Sequence, residues 1–102
     1  MSLSIDLTTE QHRILLGLLG QYLAGVPVWA FGSRVKGTAR ADSDLDLVVF
    51  STPEQFSSVQ ELREAFDESS LPFSVDVLIW NDISESFRKN ISEKYSVVAS
   101  VL

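Results

Sequence analysis

The chain has 102 residues, of which 45% are hydrophobic and 22% are charged, a balance typical of one globular domain. Its formal net charge of −6 argues against a broad nucleic-acid-binding surface, and the absence of cysteine excludes disulfides and thiolate metal sites. The first residues lack the pattern of a signal peptide, and no apolar run approaches the ~18 residues of a membrane span. We therefore expect one cytoplasmic domain over residues 1–102.

The first part of the chain predicts one helix followed by one strand. Leucines at helical spacing indicate a helix over residues 8–24, and Thr8 and Gln11 have the spacing of a capping box at its start. A short β-rich run over residues 26–31 follows and ends at Gly32. Gly25 and Pro27 are expected to end the helix before this strand.

The middle of the chain predicts two more strands with a helix between them. The strands are expected over residues 45–50 and 73–80, and the helix over residues 53–69. Four apolar residues at helical spacing form the stripe of this helix, namely Phe56, Val59, Leu62 and Phe66. The stripe indicates that this helix packs against the sheet.

The last part of the chain predicts a polar helix and an apolar tail. Asp82 and Glu85 have the spacing of a cap for a helix over residues 82–90. The tail YSVVASVL, residues 95–102, fits either a last strand or a segment docked on the core.

The order of the elements predicts the topology of the sheet. The second and third strands are separated by a helix, so a right-handed crossover would let them pair in parallel. The first and second strands are joined by a loop of about a dozen residues, which permits an antiparallel pair. The expected fold class is therefore α+β, a small mixed β-sheet with helices packed on one face.

Three aspartates stand in or beside strands that are otherwise apolar. Because side chains alternate along a strand, Asp44 and Asp46 share one face, and Asp76 joins them if the second and third strands are neighbours. Carboxylate oxygens suit Mg²⁺ or Mn²⁺, and three carboxylates could hold two ions for an in-line displacement at phosphorus. The only histidine, His12, lies in the first predicted helix, so a zinc site is not expected.

An ordinary structural origin of these charges stays open at this point. Asp42 and Asp44 could merely end a loop and solvate it, and Asp76 could be a charge that protects an edge strand from aggregation. The combination favours a cation site, because like charges about 4 Å apart repel by roughly 1 kcal/mol in water and roughly 4 kcal/mol at an effective dielectric of 20. Such repulsion is tolerated where a positive ion arrives.

The Gly-Ser turn after the first strand indicates an anion site. Gly32 lets a backbone N–H approach an anion closely, and the hydroxyl of Ser33 can donate to a phosphate oxygen. Arg34, Lys36 and Arg40 add positive charge to an acidic chain. For Lys36 and Arg40 individually, simple charge balance beside the carboxylates accounts for that charge.

Together these motifs resemble the signature of the DNA polymerase β-like nucleotidyltransferases, and the small size resembles the minimal nucleotidyltransferases of prokaryotes. The signature consists of a Gly-Ser pair, a second glycine and three aspartates, here Gly32, Ser33, Gly37, Asp44, Asp46 and Asp76. The resemblance extends from the first helix to about residue 91. It implies a polymerase β-like fold for the chain.

The resemblance also implies roles for these residues. The implied nucleotide-binding residues are Gly32, Ser33 and Arg34, of which the first two hold the triphosphate. The implied metal and catalytic residues are Asp44, Asp46 and Asp76. In that family the first two of these bind two Mg²⁺ ions, and Asp76 would complete the metal site and help to deprotonate the acceptor hydroxyl.

The implied reaction is transfer of a nucleoside monophosphate, AMP from ATP, to a hydroxyl acceptor with release of pyrophosphate. Relatives of this size are commonly encoded beside a HEPN-type protein as the antitoxin of a toxin pair, so the implied acceptor is a tyrosine hydroxyl on that partner. Because the chain has no second domain to grip the base or the acceptor, we expect a partner or a self-associated copy to supply that surface.

Two other functions are compatible with the same residues. The protein could be a non-catalytic antitoxin that neutralises its partner by direct contact, with any nucleotide merely structural. It could also transfer to an aminoglycoside-type small molecule, although the chain looks too short to form that pocket by itself.

Overall fold

A computed structural model of the chain describes residues 5–99. Helices and strands alternate through this range. Their bounds are α1 Thr9–Tyr22, β1 Val28–Phe31, α2 Ser33–Lys36, β2 Leu45–Val49, α3 Phe56–Glu68, β3 Val75–Ile79, α4 Glu85–Glu93 and β4 Ser96–Ala99. No helix within residues 5–99 combines the length and the apolar character needed to cross a bilayer.

The four strands form one mixed sheet in the order β3-β2-β1-β4. β1 pairs with β2 in antiparallel register, and β2 pairs with β3 in parallel register, so both predicted pairings are confirmed. The tail supplies β4, which pairs antiparallel with the free side of β1. This outcome confirms the strand alternative for residues 96–99, while residues 100–102 of the predicted tail lie outside the described residues.

One face of the sheet forms the hydrophobic core with α1 and α3. Leu45, Leu47 and Val49 point from β2 into this core and are fully buried. The helices bury matching stripes, which consist of Leu15 and Leu19 in α1 and of Val59, Leu62 and Phe66 in α3. The predicted stripe of α3 is wrong at Phe56, which is 52% exposed because α3 begins there, after a 3₁₀ turn over Pro53–Gln55.

The ends of the helices follow local hydrogen bonding. The predicted capping box of Thr8 and Gln11 is present at the start of α1, and each side chain accepts a hydrogen bond from the other residue's N–H. The predicted cap at Asp82 is wrong. Asp82 ends a 3₁₀ turn after β3, and Ser84 caps α4 by accepting a hydrogen bond from the N–H of Phe87.

The opposite face of the sheet carries an aromatic cluster, defined here as Trp29, Phe50, Trp80 and Tyr95. Trp29 stacks on Tyr95 with ring centroids 3.8 Å apart and meets Phe50 and Trp80 edge-on at 4.7 and 5.6 Å. Helix α4 is fastened to this face by Arg88, whose Nε donates to the carbonyl of Trp80 at 2.9 Å. The aromatic cluster therefore anchors α4 on the face that also carries Asp46 and Asp76.

Candidate active site

Asp46 and Asp76 are brought together by the register of the sheet. They are direct partners in the parallel ladder between β2 and β3, so their side chains leave the same face of the sheet. The neighbours of Asp46, Leu45 and Leu47, are fully buried in the core. Because a shift of one residue would expose these leucines, burial of the leucines fixes the aspartates on the outer face.

Asp44 lies one position before β2 and is exposed to solvent. The loop that leads to it is held from inside by Arg34, whose guanidinium donates to the carbonyls of Ala41 and Ser43 at 3.0 and 2.9 Å. The hydroxyl of Ser43 in turn accepts a hydrogen bond from the N–H of Arg40 at 2.8 Å. The position of Asp44 is therefore set by a folded loop rather than by the sheet.

Gly32 ends β1 directly beside Asp46. Its φ of +81° lies in a region that side-chain-bearing residues rarely adopt. A Cβ at this position would collide with Oδ2 of Asp46 and come within 3.2 Å of its Cγ. Glycine is therefore required here both by the backbone conformation and by the close approach of the carboxylate.

The electrostatic environment of Asp46 disfavours its charged form. Burial raises the pKa of the Asp46 carboxyl to about 6, and the negative charges of Asp76 and Asp44 and a hydrogen-bonding contact with Asp76 act in the same direction. Within residues 5–99 the only ion pair joins Arg13 and Glu10, on the exposed surface of α1, so no cationic side chain in this range lies within ion-pair distance of Asp46. A cation from outside the chain would relieve it.

Replacing Asp46 by asparagine is expected to stabilise the metal-free protein. A carboxyl whose folded pKa is raised above its ordinary value destabilises the fold when ionised, so stability is gained as the pH falls through about 6 and lost above it. We expect Asp46→Asn to raise the free energy of unfolding at pH 8 by on the order of 1 kcal/mol, allowing for solvent screening. Urea denaturation in the presence of a chelator at pH 8 and pH 5 measures the difference.

The matched control for this experiment is Asp42→Asn, because Asp42 is an exposed aspartate in the preceding loop. The stabilisation by Asp46→Asn should shrink as the pH falls toward 4, whereas the control should differ little from the wild type throughout. A variant at Asp46 that is less stable than the wild type at pH 8, or that keeps the same advantage at pH 5, would contradict the assignment of repulsion to this site.

The side chain of Arg34, which is predicted among the nucleotide-binding residues, is turned into the protein. It is 4% exposed, and its guanidinium donates to four backbone carbonyls while lying 3.9 Å from the centroid of the Phe73 ring. These carbonyls belong to Asp6, Arg40, Ala41 and Ser43. Its donors are thus engaged within the protein, whereas the neighbouring Gly32 and Ser33 remain partly exposed.

The donors at this site fit a hard divalent cation. Asp46 and Asp76 offer oxygen ligands, and Mg²⁺ is commonly bound by one or two carboxylates together with substrate phosphates. Within residues 5–99, no three or more His, Cys, Asp or Glu side chains gather closely enough to hold a metal by themselves. The structure therefore brings together a pair of carboxylates with Asp44 nearby, and the binding of two ions stays a prediction.

The amino-acid sequence matches a known family over most of the chain. A profile of the family described as Polymerase beta, Nucleotidyltransferase matches residues 21–100, which include the whole sheet and the turn. The chain belongs to the polymerase β nucleotidyltransferase family. This nucleotidyltransferase is also similar to the probable protein adenylyltransferase MntA of Haemophilus influenzae, with 45% identity over 95 residues that cover 92% of this chain and 83% of that protein.

Solved structures share the fold of this nucleotidyltransferase. One is a crystal structure of a toxin–antitoxin with AMP-PNP, with a TM-score of 0.63 and 19% identity over 88% of this chain and 73% of that chain. Another is a tri-AMPylated HEPN toxin from Shewanella oneidensis in complex with an MNT antitoxin, with a TM-score of 0.53 and 15% identity over 88% of this chain and 70% of that chain. At these identities the likeness establishes the fold.

Sequence reasoning did not place α4 of this nucleotidyltransferase next to the carboxylates. Phe87 of α4 meets Phe31 of β1 edge-on, with ring centroids 5.8 Å apart, and both rings lie beside Asp46 in one surface cleft. The spacing of α4 predicts only a polar helix. Its position depends on the turn over Trp80–Asp82 and on Arg88, neither of which carries a recognisable signal in the sequence.

Proposed function

We propose that the protein transfers AMP from ATP to a hydroxyl group on a HEPN-type partner protein and releases pyrophosphate. The observation that carries this proposal is the in-register pair of Asp46 and Asp76 beside the backbone of Gly32. The relative named as a probable protein adenylyltransferase and the AMPylated toxin complex that shares the fold support the choice of AMP and of a protein acceptor. The reaction takes place in the cytoplasm.

The chain's own residues have separate tasks in this reaction. Gly32 and Ser33 bind the triphosphate, because the absent side chain of Gly32 leaves its backbone accessible and the Ser33 hydroxyl donates to phosphate oxygens. Asp46 and Asp76, with Asp44 beside them, would hold Mg²⁺. When bound, Mg²⁺ supplies positive charge that neutralises the phosphate oxygens.

The chemical step is a displacement at the α-phosphorus. The acceptor oxygen forms a bond to the α-phosphorus, while the bond between this phosphorus and the oxygen bridging to the β-phosphate breaks, and pyrophosphate leaves with that oxygen. The proton of the acceptor hydroxyl passes to the exposed carboxylate of Asp76 and from there to solvent. Positioning and electrostatics account for most of the catalysis of such a transfer.

A labelling experiment tests this function directly. The purified protein and its HEPN-type partner are incubated with Mg²⁺ and ATP labelled at the α-phosphate, and transfer to the partner is followed by gel and mass spectrometry. We expect one or more AMP groups on the partner with the wild type and background labelling with the double variant Asp44→Asn, Asp46→Asn. Labelling that persists in the double variant would rule out these carboxylates as the catalytic centre.

The same double variant separates catalysis from simple binding. If the partner is neutralised equally well by the wild type and by the double variant, and no label is transferred, the protein acts as a binding module. Replacement of Asp42 by asparagine serves as the control, because it removes a carboxylate from the adjacent loop without touching the pair in the sheet.

A further inference from the structure

Two clefts meet at the candidate site and are separated by the rings of Phe31 and Phe87. The first, called the lysine cleft, has a volume of about 690 Å³, and its polar lining comes from Gly32, Lys36, Asn90, Glu93 and Lys94. The second, called the aspartate cleft, has a volume of about 540 Å³, and its charged lining comes from Asp46, Arg63, Asp67 and Asp76. Both Phe31 and Phe87 contribute to the walls of each cleft.

The lysine cleft carries uncompensated positive charge. It contains two lysines against one glutamate, and both lysine side chains are exposed. Within residues 5–99, neither Lys36 nor Lys94 has a carboxylate within the 4 Å of an ion pair, since the pair of Arg13 and Glu10 is the only one in that range. The lysine cleft is therefore a positively charged region in a chain whose net charge is −6.

The aspartate cleft has the opposite character. Three aspartates face one arginine, and that arginine is already engaged, because Nε and one terminal nitrogen of Arg63 donate to the carbonyl of Val77 at 3.1 and 2.6 Å. The other terminal nitrogen of Arg63 donates to the side chain of Gln60. A triphosphate in the aspartate cleft would meet like charge, whereas a hydroxyl acceptor would find carboxylates that accept its proton.

Gly32 connects the lysine cleft to the reacting centre. It lines the lysine cleft and at the same time lies against the carboxylate of Asp46. A ligand that enters the lysine cleft therefore ends beside the carboxylate pair. The backbone of Lys94 is fixed at the end of α4, because its N–H donates to the carbonyl of the buried Ile91 at 3.1 Å, while its side chain stays exposed.

We propose that the lysine cleft binds the β- and γ-phosphates of the nucleotide through Lys36 and Lys94, and that the aspartate cleft receives the acceptor. This inference rests on the proposed function for the identity of the nucleotide. It assigns the binding of the leaving group in part to Lys94, which directly follows α4 and lies after the whole Gly-Ser and aspartate signature in the chain. Phe31 and Phe87 separate the leaving group from the attacking hydroxyl.

Calorimetric titration of the full chain tests the proposal without requiring turnover. The ligands are, in the presence of Mg²⁺, an ATP analogue with a methylene group between its α- and β-phosphorus atoms, inorganic tripolyphosphate, and AMP. The variants are Lys36→Ala, Lys94→Ala and the double variant. The matched control is Lys89→Ala, which removes the same charge from the exposed surface of α4 but lies in neither cleft.

We expect each lysine variant to weaken the binding of the analogue and of tripolyphosphate about 10-fold, since a charge-assisted hydrogen bond contributes about one factor of ten in affinity. The affinity for AMP, which lacks the β- and γ-phosphates, should not change, and Lys89→Ala should bind all three ligands like the wild type. Equal weakening of AMP binding, or an effect no larger than that of the control, would overturn the proposal.

The outcome also separates this proposal from the proposed function. If the wild type transfers AMP to its partner and the lysine variants bind and transfer equally well, only the role of the lysine cleft is refuted. A wild type that binds the triphosphate through these lysines but transfers nothing refutes only the proposed reaction. A wild type that neither binds nor transfers refutes both.

Discussion

Replacing Gly32 by alanine is expected to lower the rate of AMP transfer at least about 100-fold, the cost of misplacing a reacting group by about 1 Å. The added Cβ would occupy the space that Oδ2 of Asp46 now fills, so the carboxylate must rotate away from Asp76 or the turn must move. With a φ of +81° and a ψ of −159°, Gly32 lies in a region essentially confined to glycine, which adds a backbone cost of about 1 to 3 kcal/mol for any other residue. Single-turnover transfer with saturating ATP measures the effect on the chemical step.

A second glycine of the chain distinguishes the effect of backbone strain from the effect of the collision with Asp46. Gly25 has a φ of +79°, nearly that of Gly32, but a Cβ there meets no atom within 4 Å. Gly25→Ala should therefore lose stability to the strain of a positive φ but keep the wild-type transfer rate. Comparable loss of activity in both alanine variants would show that the contact with Asp46 is not what makes Gly32 necessary.

Replacing Arg34 by alanine is expected to lower the free energy of unfolding by about 3 kcal/mol or more. The guanidinium donates to carbonyls from two separate segments, at 2.7 Å to Asp6 and at 2.9 Å to Ser43 among others, and it is covered by the ring of Phe73. Its removal leaves these buried acceptors without partners and opens a cavity beneath the loop that precedes Asp44. Urea denaturation followed by circular dichroism measures the loss.

Arg40→Ala provides the control for the loss of an arginine from this region. The side chain of Arg40 is exposed, so its removal should change stability by no more than about 0.5 kcal/mol. Arg34→Lys keeps the positive charge but lacks the planar guanidinium group with its several N–H donors. This variant should therefore be more stable than Arg34→Ala but less stable than the wild type. If Arg34→Ala is as stable as the wild type but binds ATP more weakly, Arg34 is a nucleotide ligand after all.

The sequence predicts the sheet and the carboxylate pair because both follow from short-range rules. Alternation along β2 and β3, together with the crossover helix between these strands, predicts that Asp46 and Asp76 share a face, whereas the register that makes them direct partners was not predictable. The close contact between Gly32 and Asp46 was not predictable from spacing, because it depends on the antiparallel register that sets Phe31 opposite Asp46. The type of residue at position 32 nevertheless indicated that something approaches the backbone.

Roles that depend on long-range packing were not predictable in the same way. An arginine next to a Gly-Ser turn has the same appearance in a sequence whether it binds phosphate or supports a loop, and only the path of residues 40–43 around Arg34 decides between them. Likewise, Asp82 and Ser84 are both good helix caps, and the turn after β3 selects Ser84. In both cases several polar groups compete for the same backbone partners.

The aromatic cluster gives this protein a built-in optical reporter. The chain contains two tryptophans, Trp29 and Trp80, and both belong to this one cluster beneath α4. The guanidinium carbon of Arg88, on α4, lies 5.5 Å from the centroid of the Trp80 ring. Intrinsic indole emission therefore originates from the sheet face that carries Asp46 and Asp76, and a change in its wavelength or intensity reports on the surroundings of this cluster rather than on the opposite face, where α1 packs.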